Sequence, residues 1–183
     1  KKWGLCVEND FVYIYNGQYW QAADKIEFKH FLGQAAERVK FDPYESRYFE
    51  FRDKLYKQFL AVADFPAPDP DEHKTLINLK NGTLEITPNG ATLRGFLRDD
   101  FLKYQLPFDY TPGATCPRFD KYLNEVLPDQ SAQKVLAEYI GYVFTRHLKL
   151  EKCLVLYGSG ANGKSVFADV MNALIGEENI TNF

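Results

Sequence analysis

Cys153-Leu154-Val155-Leu156-Tyr157 is a short continuous apolar run. It leads directly into Gly158-Ser159-Gly160-Ala161-Asn162-Gly163-Lys164-Ser165, and an amphipathic stretch, residues 166–175, follows and stops at Gly176. Such a run is the mark of a strand covered on both faces in a parallel sheet. The eight residues after it fit Gly-x-x-x-x-Gly-Lys-Ser/Thr, and strand, loop and helix arrive in the order a phosphate-binding loop requires. Glycines let consecutive backbone N–H groups approach phosphate oxygens without Cβ interference, and the following helix N-terminus adds partial positive charge. On this pattern Gly158, Ser159, Gly160, Ala161, Asn162 and Gly163 form the cradle, Asn162 adding a side-chain amide. Lys164 is the catalytic cation reaching the β and γ phosphates of ATP. Ser165 places its hydroxyl on a Mg2+ ion that also bridges phosphate oxygens.

Gly158, Gly160 and Gly163 also satisfy Gly-x-Gly-x-x-Gly, the dinucleotide fingerprint. That motif has no use for Lys-Ser directly after its third glycine, and its strand comes first in the fold, whereas here a long mixed segment precedes it. A kinase glycine loop is excluded because it needs an apolar residue where Ser165 stands.

Upstream of the loop, Asp129 is placed to cap a helix with a buried face of Val135, Leu136, Tyr139, Ile140, Val143 and Phe144, ending near Arg146 and His147. Pro117 suits the first position of a helix whose inner face is Phe119, Tyr122, Leu123, Val126 and Leu127. Residues 95–116 have weak periodicity and carry Pro107, Pro112 and Gly113, which predicts a loop. Residues 76–79, 83–87 and 91–93, separated by Asn81-Gly82 and Asn89-Gly90, predict a short antiparallel meander. Pro66, Pro68 and Pro70 predict a stiff, extended connector over 66–75.

Nearer the start, residues 11–15 and 19–21 flank Asn16-Gly17 and predict a small hairpin. Asp24 then caps a helix with Ile26, Phe28, Phe31, Leu32, Ala35, Ala36 and Val39 at helical spacing. A second helix is predicted over 44–63 with the stripe Tyr44, Tyr48, Phe51, Leu55 and Phe59. Arg47, Arg52, Lys54 and Lys57 sit among those aromatics. They read either as the solvated flank of a core stripe or as a single-stranded DNA platform.

The fold class expected is therefore α+β: a mainly helical N-terminal and linker part with small β-hairpins and a meander, then the first strand, loop and helix of a P-loop α/β ATPase. The expected division is 1–65, a connector at 66–75, a meander with a helical collar at 76–151, and an incomplete ATPase start at 152–183.

Composition agrees with a globular chain. Of 183 residues 45% are hydrophobic and 26% charged, with net charge −3, so nucleic-acid affinity has to come from a local patch rather than a basic arm. No apolar run approaches the roughly 20 residues of a membrane span. Three cysteines, Cys6, Cys116 and Cys153, contain no Cys-x-x-Cys pair, so neither a disulfide framework nor a zinc ribbon is predicted, and a reducing cytoplasm is the expected compartment. His30, His73 and His147 are isolated and show no ligand spacing. There is no Gly-x-Ser-x-Gly elbow.

The segments Leu76-Ile77-Asn78-Leu79-Lys80-Asn81-Gly82, Leu106-Pro107-Phe108-Asp109-Tyr110, Cys116-Pro117-Arg118-Phe119 and Gly141-Tyr142, together with the loop, resemble the phage and plasmid primase-helicase family. They look like a poxvirus-type primase N-terminal-like domain leading into a superfamily 3 helicase, for which Gly-x-Asn-Gly-Lys-Ser, here Gly160 to Ser165, is a typical loop. The resemblance implies a ring-forming ATPase, a hexamer in the whole protein, that moves on single-stranded or forked DNA during replication. Only 18 residues follow Ser165. The family's second acidic motif, sensor asparagine and arginine finger have no counterpart among them, so no turnover is expected of this stretch alone. The alternative expectation is a non-catalytic collar that binds protein or DNA, with an inert loop.

Overall fold

A computed structural model describes residues 4–63, 71, 73–145, 148–160 and 162–180. The class is α+β, with six α-helices and two three-stranded antiparallel sheets among those residues. The chain forms two compact units, one of Lys1–Pro68 with Leu97–Tyr104, the other of Asp69–Phe96 with Gln105–Phe183. Pro66, Pro68 and Pro70 of the expected connector, and Arg146 and His147 at an expected helix end, lie outside the described residues.

The first unit opens on a meander, β1 (Leu5–Glu8), β2 (Phe11–Tyr15) and β3 (Trp20–Ala22), in which sequential strands pair. Glu8 lies opposite Phe11, leaving Asn9 and Asp10 as a two-residue turn with φ of 49° and 64°. Two positive φ angles define the turn whose twist matches a hairpin, and Asn and Asp tolerate them best among non-glycine residues. The expected hairpin across Asn16-Gly17 is the β2–β3 connection, where Asn16 Oδ1 accepts from the N–H groups of Gln18 and Tyr19, both at 2.9 Å. Period-two alternation sends neighbouring side chains to opposite faces. Val7 and Val12 pack with Phe28 and Tyr56. Cys6 packs on the other side with Trp20 and Phe101.

α1 (Lys25–Arg38) starts where expected, the Asp24 carboxylate accepting from the N–H groups of Ile26 and Glu27 at 2.8 and 2.9 Å. Its buried residues are Phe28 and Gly33, while Ile26, Phe31 and Val39 of the anticipated stripe are exposed. The single helix expected over 44–63 is two: α2 (Pro43–Arg47), capped by Asp42, and α3 (Phe49–Val62), with Tyr48 extended between them. The reason lies at Ser46, packed between the helices. Ser46 is fully buried, its hydroxyl donates to the Asp42 carbonyl at 2.7 Å, and its own carbonyl accepts from Arg52 Nε at 3.3 Å. Tyr44 and Tyr48, read as core stripe, are exposed as a result, and Tyr56 is the buried aromatic of α3. Phe101 and Leu102, in a stretch expected to be plain loop, return to this unit. The Leu102 carbonyl accepts from Trp20 N at 2.8 Å, and the Phe101 ring tilts on Trp20 at 5.3 Å.

The second unit contains the expected meander as β4 (Thr75–Leu79), β5 (Gly82–Thr87) and β6 (Gly90–Arg94). Leu106, buried to 2% exposure, donates its N–H to the Asn78 carbonyl at 2.8 Å, so this loop is part of the core. α4 (Pro117–Val126) carries its proline in the first turn. α5 (Gln130–Val143) is capped by Asp129, which accepts from Ser131 N at 2.9 Å. Of the faces expected to be buried, Leu136 is, Phe119, Tyr122 and Leu123 are half-buried, and Val135 and Val143 are exposed. α6 (Lys164–Ile175) ends at Gly176 as anticipated.

One expectation fails here. Residues 153–157 form no strand: among the described residues nothing pairs with them, and Val155 is 75% and Tyr157 98% exposed. A strand requires a ladder partner and a covered strand a layer on each face, and neither stands beside this run. No helix of the described residues is long and apolar enough to cross a membrane.

Candidate functional site

Two of the three glycines of residues 158–165, Gly158 and Gly163, sit where a side chain would obstruct. A Cβ on Gly158 would lie 1.7 Å from Asn162 Nδ2 and 3.2 Å from Lys164 Nζ. Gly160 and Gly163 have φ of 103° and 82°, in the left-handed region that L side chains rarely adopt. Gly163 caps α6 and offers no side-chain hydrogen bond, and the first-turn N–H groups have no partner four residues back within the helix. The Lys164 ammonium turns inward and donates to the Gly158 carbonyl at 3.1 Å and to Asn162 Oδ1 at 2.6 Å. Ser165 and Ser159 are exposed beside it, and Ala161 lies outside the described residues.

The loop is held from below by α4. Tyr122 Oη donates to the Gly163 carbonyl at 2.7 Å. A Cβ on Gly163 would meet Val126 Cγ1 at 2.8 Å and Tyr122 Cε2 at 3.0 Å. Beside the loop runs a groove of about 490 Å³ lined by residues of α4, α5 and 154–157, together with Asn162, Lys164 and Phe167; none of the lining side chains is a carboxylate. An ammonium, a hydroxyl, an amide and helix-terminal N–H groups, with no acid among them, form a donor set suited to a polyanion, and a Cβ at Gly160 would meet nothing within 4 Å, so that side of the loop is open. Among the described residues no group of three His, Cys, Asp or Glu could hold a metal ion. A cation here would depend on Ser165 and the phosphates themselves.

The four cations expected to meet DNA lie in the first unit, in two different situations. Arg47 is paired with Glu37 through Nε at 2.9 Å and Nη2 at 3.3 Å. The arginine's hydrogen bond holds the Glu37 carboxyl below its ordinary range, and the same bond raises Arg47. Arg52 donates to the Ser46 carbonyl and contacts His30 Nδ1 at 2.9 Å. A guanidinium only donates, which assigns the His30 proton to Nε2. Lys54 and Lys57 are exposed and form no ion pair among the described residues. Around Lys54 lies a shallow groove with Tyr44, Tyr48 and Phe51, the first two exposed at 89% and 53%, and Glu45 and Glu50 share that surface. The structure thus brings the loop residues together, whereas Arg47 and Arg52 brace α2 against α1 and α3. Tyr122 was missed from the sequence, because its place in an apolar helical stripe carries no mark of a second role.

Residues 1–128 match the family model described as D5 N terminal like; the match ends ahead of the glycine loop. No curated protein matches the chain.

Proposed function

The chain belongs to the D5 N-terminal-like family, the N-terminal part of D5-like primase-helicases, and from that premise we propose that it serves an NTP-dependent replicative DNA helicase of a phage, plasmid or integrated element. In this proposal residues 158–165 hold the phosphates of ATP, and the part of the chain ahead of them links, oligomerises and guides single-stranded or forked DNA through a homo-oligomeric, hexameric ring in the cytoplasm.

The observation that carries the nucleotide part is the Lys164 ammonium, turned into the loop at the N-terminus of α6 against Gly158 and Asn162. Both contacts are hydrogen bonds to neutral oxygens. A phosphate oxygen carries the charge that these two oxygens lack, so it competes for the ammonium and leaves Lys164 paired with an opposite charge. Lys164 contacts Asn162 through Oδ1, so the Nδ2 group is the part of that carboxamide that donates to a phosphate oxygen. The backbone N–H groups of Gly163 and Lys164 orient the β phosphate. Ser165 supplies a hydroxyl ligand for Mg2+, whose contribution when bound is to neutralise charge on the phosphoryl oxygens. Hydrolysis further requires a positioned water and a second cation near the transferring group, which residues 158–165 do not contain.

The test is a MgATP titration of the chain and of Lys164→Ala. Saturable binding lost in the variant supports the proposal, and equal, negligible binding of both removes it. A collar that docks protomers or DNA without nucleotide is the second reading, favoured by a family match that stops at residue 128.

A further inference from the structure

We infer that Tyr122 is a positioning residue for the phosphate loop: its hydroxyl, with the Val126 side chain beside it, fixes the Gly163 peptide from which Lys164 is aimed. This rests on the nucleotide-binding proposal above and extends it to a helix inside the family-matched segment.

Gly163 is the hinge of the loop. It caps α6 at φ 82°, and its carbonyl accepts twice, from Phe167 N at 3.0 Å as the first turn of the helix and from Tyr122 Oη at 2.7 Å. The same peptide plane carries the N–H and Cα of Lys164, so rotation of that plane about the Gly163 Cα swings the ammonium. A left-handed glycine has more accessible backbone conformations than any other residue, and a loop built on it is ordered only if something outside restricts it. α4 supplies that restriction twice. The phenol hydrogen bond fixes the carbonyl direction. Val126 Cγ1 and the Tyr122 ring occupy the space where a Cβ would stand, closing off lateral movement. Tyr122 touches neither Lys164 Nζ nor Asn162 by hydrogen bond, whose partners are within the loop. Its influence therefore acts through geometry. The phenol is half-buried, and its ring also packs on Phe119 at 5.9 Å. Removing the oxygen alone thus leaves the packing in place.

The experiment compares the wild-type chain with Tyr122→Phe and Val126→Ala by titration with MgATP and with Mg-triphosphate, alongside the thermal midpoint of each protein without ligand and a Lys164→Ala control. Tyr122→Phe is expected to raise the dissociation constant for both ligands about fivefold, because binding must then supply the ordering of the loop, with at most a small fall in the ligand-free midpoint. Val126→Ala is expected to act in the same direction and more weakly. Because it leaves the phenol intact, it keeps the test open should Tyr122→Phe not fold. A role confined to stability would lower the midpoint and leave both dissociation constants alone, which overturns the inference. So does a loss for MgATP not matched by triphosphate, since Tyr122 would then act on the nucleoside rather than the phosphate loop. If wild type binds and Lys164→Ala does not, unchanged affinity in both α4 variants sinks the role of Tyr122 alone. If wild type and Lys164→Ala bind alike, the nucleotide proposal fails and this one falls with it.

Discussion

Gly33 of α1 and Ser46 of α2 approach so closely that a Cβ on the glycine would stand 2.8 Å from the serine carbonyl oxygen. That oxygen also accepts from Arg52 Nε, so the contact ties α1, α2 and α3 at one point. Overpacking a backbone contact costs about 1–3 kcal/mol. Gly33→Val is expected at the upper end, about 3 kcal/mol. Gly33→Ala should lose less, because roughly 1 kcal/mol of helix propensity offsets part of the strain. Chemical denaturation measures both, and two variants as stable as wild type would show that the helices separate without cost.

The loop after β6 is expected to behave as core. Leu106, 2% exposed, should cost about 2–5 kcal/mol when replaced by alanine. Leu97→Ala, at 55% exposure, should stay within about 0.5 kcal/mol. Equal effects would contradict the burial described.

These two sites mark where the sequence was silent. Caps and stops were legible because one residue decides them: Asp24 and Asp129 accept from the N–H groups they were expected to bind, Pro117 opens α4 and Gly176 closes α6. The meander was legible from its Asn-Gly turns, although each glycine is the first strand residue rather than part of the two-residue loop. β1 was missed since Cys6 and Val7 are buried on opposite faces, which erases alternation, and its turn, Asn9-Asp10, lacks a glycine. The break at Tyr48 arises from the buried Ser46 contact, a tertiary effect that overrides local propensity. In the site, the motif marked every loop residue, but its supports, Tyr122 and Val126, depend on which helix passes beneath Gly163.

Thiol chemistry is expected to divide the cysteines. Cys116 and Cys153 are exposed, whereas burial pushes the Cys6 thiol up to about 11 from 9.0, with Lys103 partly opposing. Iodoacetamide at pH 8 should therefore modify Cys116 and Cys153 in the folded chain and reach Cys6 only on unfolding. Because the folded value is the higher one, the neutral thiol stabilises the fold below pH 9, and that contribution declines as pH rises from about 9 to about 11. Rapid labelling of Cys6 under native conditions would contradict its burial on β1 against Trp20 and Phe101.

For DNA, the exposed pair Lys54 and Lys57 is expected to matter more than Arg47 and Arg52, whose donors have partners in the fold. If this surface guides single strands, Lys54→Glu with Lys57→Glu should weaken oligonucleotide binding across sequences and reduce the magnitude of the slope of log affinity against log salt by about two. Binding that keeps its slope in the double variant would remove the surface from the path of the DNA.

The most direct measurement is an amide NMR titration of the intact chain with MgATP. The largest shifts are expected at Gly158, Gly160, Gly163, Lys164 and Ser165, saturating together and disappearing in Lys164→Ala. Saturation with those amides unmoved, and the shifts gathered instead around Tyr44, Tyr48 and Lys54, would contradict phosphate binding at the loop.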